Sequence, residues 1–216
     1  LFKQLSVYKL RSNVEIMNLS NEFVVAAFNR VKFLKFKNAK DELGNTIKYN
    51  EDSILLDPRN RDLGARLIIN LEKLYQSLKN LELKDSNTNE YYKLSHKLGI
   101  PQIDLNKLQN KLFGIECNFE ELNGLDFKKG CYVGQENTAR IKLKDKLTKR
   151  LLPIEIIKGR LKTDDEIFQK DQSIGKILID SEYPFGLIKF KEKFTFSEEC
   201  ESKSAKIKFI KPLWMN

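Results

Sequence analysis

The sequence predicts an α+β domain over residues 1–146 followed by a small C-terminal β-barrel over 147–216. Three observations predict it. Much of the first seventy residues is β-prone and alternates with a period of two. From 70 to 98 the apolar residues switch to helical spacing. From about residue 147 the chain returns to short β-prone runs punctuated by Gly and Pro. Strands followed by helices within one compact region suggest an α+β layer.

The elements follow in order. Strands are expected over 14–18, 22–29, 31–37, 53–57 and 65–70. In 31–37 the alternation is sharp, with Val31, Phe33 and Lys35 on one face and Lys32, Leu34 and Phe36 on the other. Residues 38–49 hold Asp, Gly and Asn and read as a turn or hairpin tip. Leu71, Leu74, Tyr75, Leu78 and Leu81 recur at helical spacing, with Asn70 placed to accept an unpaired N–H as N-cap. Residues 84–89 are a polar loop. A second helix is expected over 90–98, stopped by Gly99 with Pro101 beyond it. Barrel strands are expected over 147–157, 174–179, 186–190 and 205–210, with Gly159, Gly175 and Pro184 between them. The division near 147 matters because domain junctions commonly form ligand clefts.

Composition narrows the function classes. A hydrophobic content of 41% and a charged content of 32% suit a globular protein with a core. No run of about eighteen apolar residues occurs, which argues against a membrane span. No secretory signal pattern is visible at the start. The net charge is +9, but only eight of the cations are Arg. Lysine is spread along the chain, with one modest cluster at Lys142, Lys144, Lys146, Lys149 and Arg150 that reads as the solvated face of a strand. A nucleic-acid binder concentrates Arg and aromatics on one face, so the charge argues against that partner.

Cysteine usage points to a reducing compartment, because three cysteines in a chain of this size are no disulfide framework. The absence of a C-x-x-C pair argues against structural zinc. Cys117 lies in an apolar-rich stretch and Cys200 in an acidic one, and both read as incidental. The single histidine, His96, sits in a Lys-rich helical stretch and reads as a surface residue.

Cys131 is different. It stands in Lys129-Gly130-Cys131-Tyr132-Val133-Gly134-Gln135-Glu136, next to Lys128 and upstream of Arg140. Glycine permits positive φ and close approach of another group. Nearby cations favour thiolate over thiol, and a helix beginning at Gln135 would add its dipole. A small buried cysteine in a tight turn is the alternative reading of the same residues.

That octapeptide resembles the signature of the YgfZ-type folate-binding proteins, which assist iron–sulfur cluster assembly and repair and are relatives of the glycine cleavage T-protein. Leu112-Phe113-Gly114-Ile115-Glu116-Cys117-Asn118 is similar to the family's L-F-P-x-E-x-N, with Gly114 in place of Pro. Asp57-Pro58-Arg59, Leu63-Gly64-Ala65-Arg66, Gly99-Ile100-Pro101, Ala139-Arg140, Lys149-Arg150-Leu151-Leu152 and Lys211-Pro212-Leu213-Trp214 resemble further family pieces. Ser95-His96 stands where the family has Arg-Ile, and Gln102 where it has Glu. The chain begins at Leu1, whereas family members carry a further N-terminal segment that supplies part of the folate pocket.

The resemblance implies a T-protein-like α+β domain with tetrahydrofolate, or a derivative, in its central cavity. It implies Cys131 as the functional thiol, acting in redox chemistry or as one ligand of a transient [2Fe-2S] cluster shared with a partner, since a cluster needs about four ligands. Lys129, Tyr132 and Arg140 would tune the thiol or hold the glutamate tail, and Gln135 and Glu136 would meet the pterin edge. Glu116 joins the cofactor-binding set, though it also reads as a turn cap or as a partner of Arg140 or a lysine. Asp57, Arg59 and Arg66 read as an ion-pair network, and Trp214 as a barrel plug. The expected partners are folate and iron–sulfur carrier or client proteins. The protein is expected to be a monomer in the bacterial cytoplasm. An aminomethyltransferase of the T-protein type is the alternative; its chemistry needs a carboxylate near the folate nitrogen and no cysteine between glycines. A nucleic-acid or protein-binding module, motivated by the charge, is a third.

Overall fold

The computed structural model describes residues 2–132, 135–143, 147–190 and 194–215. They divide into two compact units: residues 1–57 with 61–86, and residues 58–60 with 87–216. The expected division at 146/147 falls inside the second unit, just before the first barrel strand.

The first unit is built on an antiparallel sheet of β1 (Phe23–Phe28), β2 (Thr46–Tyr49), β3 (Asp52–Leu56) and β4 (Ala65–Asn70), in the order β1-β4-β3-β2. Alternation sends one face inward. Ile47, Ile54, Leu56, Leu67 and Ile69 are buried from it and pack with Phe33 and Leu81. Helix α1 (Phe2–Tyr8) is exposed throughout. Helix α3 (Leu71–Asn80) starts where the sequence places it, with the Asn70 side chain accepting from the Glu72 N–H at 2.9 Å. Gly64 has φ +81°, and a Cβ there would lie 2.1 Å from the Phe28 carbonyl oxygen. Only glycine fits that turn.

Two expected strands are absent. Residues 14–18 are irregular and largely exposed, and they join no sheet among the described residues. Residues 31–37 give helix α2 (Arg30–Phe33) and a series of turns. The Asn29 side chain accepts from the Lys32 N–H at 2.8 Å and sets the helical turn. Phe33 and Phe36, three apart, then face the same core. A period of two over seven residues also contains a spacing of three, and the cap decides between them.

In the second unit, α4 (Thr88–Lys97) is capped by the Asn87 side chain and ends at Gly99, which has φ +74°. A Cβ on Gly99 would meet Pro212 at 2.7 Å, so the chain near the C-terminus presses on this helix end. Trp214 does not plug the barrel. Its indole N–H donates to the Leu98 carbonyl at 2.8 Å and satisfies an end-of-helix acceptor. His96 is buried rather than on the surface. Its Nε2 donates to the Pro184 carbonyl at 2.9 Å, and its ring meets Phe185 edge-on. The Lys-rich context misleads because Lys93 and Lys97 point outward while His96 lies on the packed side of the helix.

The barrel closes in the order β10-β5-β8-β7-β6-β9. Its strands are β5 (Lys149–Gly159), β6 (Glu166–Gln169), β7 (Gln172–Ile179), β8 (Phe185–Lys189), β9 (Cys200–Ser202) and β10 (Ala205–Phe209). The closing pair sets Ile154 opposite Phe209 and Ile156 opposite Ile207. Leu152, Ile154, Ile167, Ile177, Ile188 and Ile207 fill the interior. The short strands β6 and β9 are the two that the sequence does not announce. No helix among the described residues is long and apolar enough to cross a membrane.

Candidate functional site

A turn precedes Cys131, and helix α5 spans Gln135–Leu143. Asp126 Oδ1 accepts from the Lys128 N–H at 2.8 Å and folds the approach. Gly130 is not held at positive φ, contrary to the usual reason for a glycine. A Cβ there would meet nothing within 4 Å, so the space before it is open. Cys131 follows, exposed. Tyr132 and Gln135 bond reciprocally: the Tyr132 N–H donates to Gln135 Oε1 at 3.3 Å, and the Gln135 N–H to the Tyr132 carbonyl at 3.2 Å. This resembles half a capping box.

Lys129 Nζ lies 5.1 Å from the centre of the Tyr132 ring, within range of a cation–π contact. The Tyr132 hydroxyl is screened from solvent and has no hydrogen-bond partner among the described residues. Glu136, in the first turn of α5, and Arg140, in its last, are both exposed and suit the helix dipole. Val133 and Gly134 lie outside the described residues.

The three thiols differ. Burial, aided by the Glu116 charge, pushes Cys117 up to about 11. Burial also raises Cys200 to about 11, with the Glu198 charge adding and a hydrogen bond from Gln169 opposing. Both are thiols at neutral pH. Cys131 alone of the three is exposed.

Glu116 takes the turn-cap role. Its Oε2 accepts from the Phe113 N–H at 3.0 Å. The loop it shapes is tied to the barrel: the Leu151 N–H donates to the Glu116 carbonyl at 2.9 Å. Asn118 completes the tie. It is fully buried at φ +62°, its Nδ2 donates to the Leu151 carbonyl at 2.8 Å, and its Oδ1 accepts from Arg150 Nη1 at 3.1 Å. Arg150 also pairs with Glu121. The sequence offers one signal for this arrangement: asparagine tolerates left-handed backbone and can reach neighbouring main chain.

The lysine cluster is not one strand face. Lys142 belongs to α5 and pairs with Glu120, Lys149 and Arg150 belong to β5, and Lys144 and Lys146 lie outside the described residues. Asp57 and Arg66 form an ion pair at 2.9 Å, with Asp57 buried. Arg59 donates to the Tyr91 hydroxyl at 3.1 Å, and to Gln102 with that amide oxygen turned toward it. No group of three or more His, Cys, Asp or Glu side chains among the described residues is arranged to hold a metal ion.

No protein-family model matches the chain. Among curated proteins it is 32% identical over 154 residues to the iron-sulfur cluster assembly factor IBA57 homolog, mitochondrial, of Dictyostelium discoideum, covering 69% of this chain and 36% of that protein. It is 34% identical over 153 residues to the tRNA-modifying protein YgfZ of Buchnera aphidicola subsp. Baizongia pistaciae, covering 69% of this chain and 48% of that protein.

This chain belongs to the YgfZ/IBA57 family.

The mitochondrial IBA57 of Mus musculus is 29% identical to it over 158 residues, covering 71% of this chain and 41% of that protein. These matches span between about a third and a half of each relative's length. Within this YgfZ/IBA57 chain, Lys129, Tyr132 and Gln135 form one local unit around Cys131, and Glu116 anchors the adjoining loop. Glu136 and Arg140 sit on the helix that follows.

Proposed function

We propose that this chain is a tetrahydrofolate-binding accessory factor for the assembly or repair of iron–sulfur proteins, with Cys131 as its working thiol. The observation that carries the reading is the exposure of Cys131 beside the open space at Gly130, while the other two thiols are buried or half-buried and held protonated. A thiolate is a soft ligand for iron and a good nucleophile. The names of the relatives, iron–sulfur cluster assembly factors and a tRNA-modifying protein, point the same way.

In this reading the first part of the chain contributes to a T-protein-like α+β domain. One observation supports folate: Lys129 and Arg140 offer cations for its carboxylates. An iron–sulfur cluster is cargo here, and one cysteine holds it only together with ligands from a carrier protein or a small thiol. The partners are therefore iron–sulfur carriers or clients, met by a monomer in a reducing compartment.

The test is tetrahydrofolate binding by calorimetry to wild type and Cys131→Ala, beside restoration of iron–sulfur enzyme activity in cells lacking the factor. Equal folate binding with restoration by wild type alone separates pocket from thiol and supports the reading. Restoration by Cys131→Ala, with no folate binding by either protein, ends it.

A further inference from the structure

The sequence holds a single Asn-Gly dipeptide, Asn123-Gly124, and the second unit gives it two tasks. Residues 114–123 are successive turns that close as a Schellman motif. The Asn123 N–H donates to the Glu120 carbonyl at 3.1 Å, and the Gly124 N–H to the Phe119 carbonyl at 2.6 Å. That closure needs left-handed backbone at 123, where φ is +57°, and asparagine tolerates it better than most residues. The Asn123 side chain supplies the second task. Its Nδ2 donates to the Pro58 carbonyl at 2.9 Å and fastens the segment Pro58–Asn60 to the loop. Asn123 and Gly124 are both exposed to water.

Asparagine before glycine is chemically unstable, because a glycine nitrogen has no neighbouring Cβ to hinder its attack on the side-chain amide. The bond that forms joins Gly124 N, which gives up its proton, to Asn123 Cγ. The bond that breaks is Cγ–Nδ2, and ammonia leaves with that proton. Water then opens the cyclic imide at either carbonyl, giving aspartate or isoaspartate. No other reactant is needed. In the folded loop both reacting groups are engaged. The N–H of the nucleophile is committed to Phe119, and the departing nitrogen is the one that donates to Pro58. Cyclisation therefore waits for the loop to open, and an exposed turn opens more often than a core element.

We propose that Asn123 is a site of spontaneous deamidation held in check by its own turn, and that its conversion releases the segment Pro58–Asn60. An aspartate carboxylate has no N–H for Pro58 and sets a negative charge against its carbonyl oxygen. Isoaspartate lengthens the backbone by a methylene and upsets the two turn bonds. The change runs one way, so the released form accumulates with the age of the molecule. The Asn118 tie to the barrel does not pass through Asn123, and the fold around it persists. None of this depends on folate or on Cys131.

The experiment incubates wild type in mildly alkaline buffer, folded and in guanidinium chloride, and follows amide-to-acid conversion by peptide mass spectrometry. Unfolded, Asn123 is expected to convert ahead of every other asparagine, as a mixture of aspartyl and isoaspartyl peptides. Folded, it is expected to convert about tenfold more slowly or less. Asn123→Asp, which imitates one product, is expected to raise hydrogen exchange at Arg59 and Asn60 while exchange in the barrel strands stays as in wild type. Asn123→Gly keeps the left-handed turn and loses the amide, and it is expected to raise the same exchange. Equal conversion rates in the folded and unfolded protein, or another asparagine converting first in the unfolded chain, overturn the proposal. So does wild-type exchange at Arg59 and Asn60 in Asn123→Asp. If Asn123→Asp does not fold, Asn123→Gly decides, and wild-type exchange there overturns it.

Discussion

Asn118 and Arg150 lie thirty-two positions apart in sequence and share a hydrogen bond of 3.1 Å. Asn118 is fully buried, so its amide depends on Arg150 and the Leu151 carbonyl for satisfaction. Through it, the loop that carries Glu116 is fastened to the first barrel strand.

Asn118→Ala is expected to destabilise the protein by about 2–4 kcal/mol, because it strands buried partners and places a Cβ residue without side-chain compensation at φ +62°. Urea unfolding checks this. A loss within about 0.5 kcal/mol, the scale of an ordinary surface change, would refute the tie.

Gly64→Ala is expected to cost about 3 kcal/mol or more, since positive φ and a 2.1 Å clash with backbone act together. The matched control is Gly130→Ala, whose new Cβ meets nothing within 4 Å. It is expected to change the melting temperature little. Similar melting temperatures for the two variants would contradict the geometry.

Acid should destabilise the fold in two separate steps. Burial lowers the His96 pKa below 6.5, with the Pro184 hydrogen bond opposing. Neutral His96 is therefore the form the fold prefers. Its contribution is complete above pH 6.5 and is lost as pH falls through the lowered folded value. Asp180 is held at about 2, chiefly by the hydrogen bond from Lys107, so its contribution persists above pH 3.8 and is lost as pH falls toward 2. Urea midpoints from pH 8 to 2 should show both steps. His96→Gln should remove the upper one only, and an unchanged upper step in that variant would assign it elsewhere.

Iodoacetamide should label Cys131 first in the native protein, with Cys117 and Cys200 labelled only on unfolding. Peptide mass spectrometry reads the order. Labelling of Cys117 ahead of Cys131 would contradict the arrangement.

What the sequence made legible was mostly local. Asn70 followed by leucines at helical spacing is a complete instruction for α3, because cap and face lie within twelve residues. The barrel could be expected from its longer strands, while β6 and β9, at four and three residues, carry too little pattern to register. Residues 31–37 satisfied two periods at once. At the site, the motif selects Cys131, but contiguity cannot reveal that Glu121 meets Arg150 or that Asn118 reaches Leu151. His96 was misread for the same reason: its partner, Pro184, is eighty-eight positions away.

The bond from Trp214 to Leu98 has a consequence for the order in which the molecule can be made. Helix α4 is made first, yet its last carbonyls acquire an indole partner only after more than a hundred further residues have been joined. The barrel waits in the same way, because β5 finds β10 only after β6 to β9 have been made. A growing chain normally consolidates from its beginning. Here the second unit stays unsealed until Trp214 has been added, so a chain stopped before that point would expose both an open barrel seam and a frayed helix, surfaces that cellular quality control recognises.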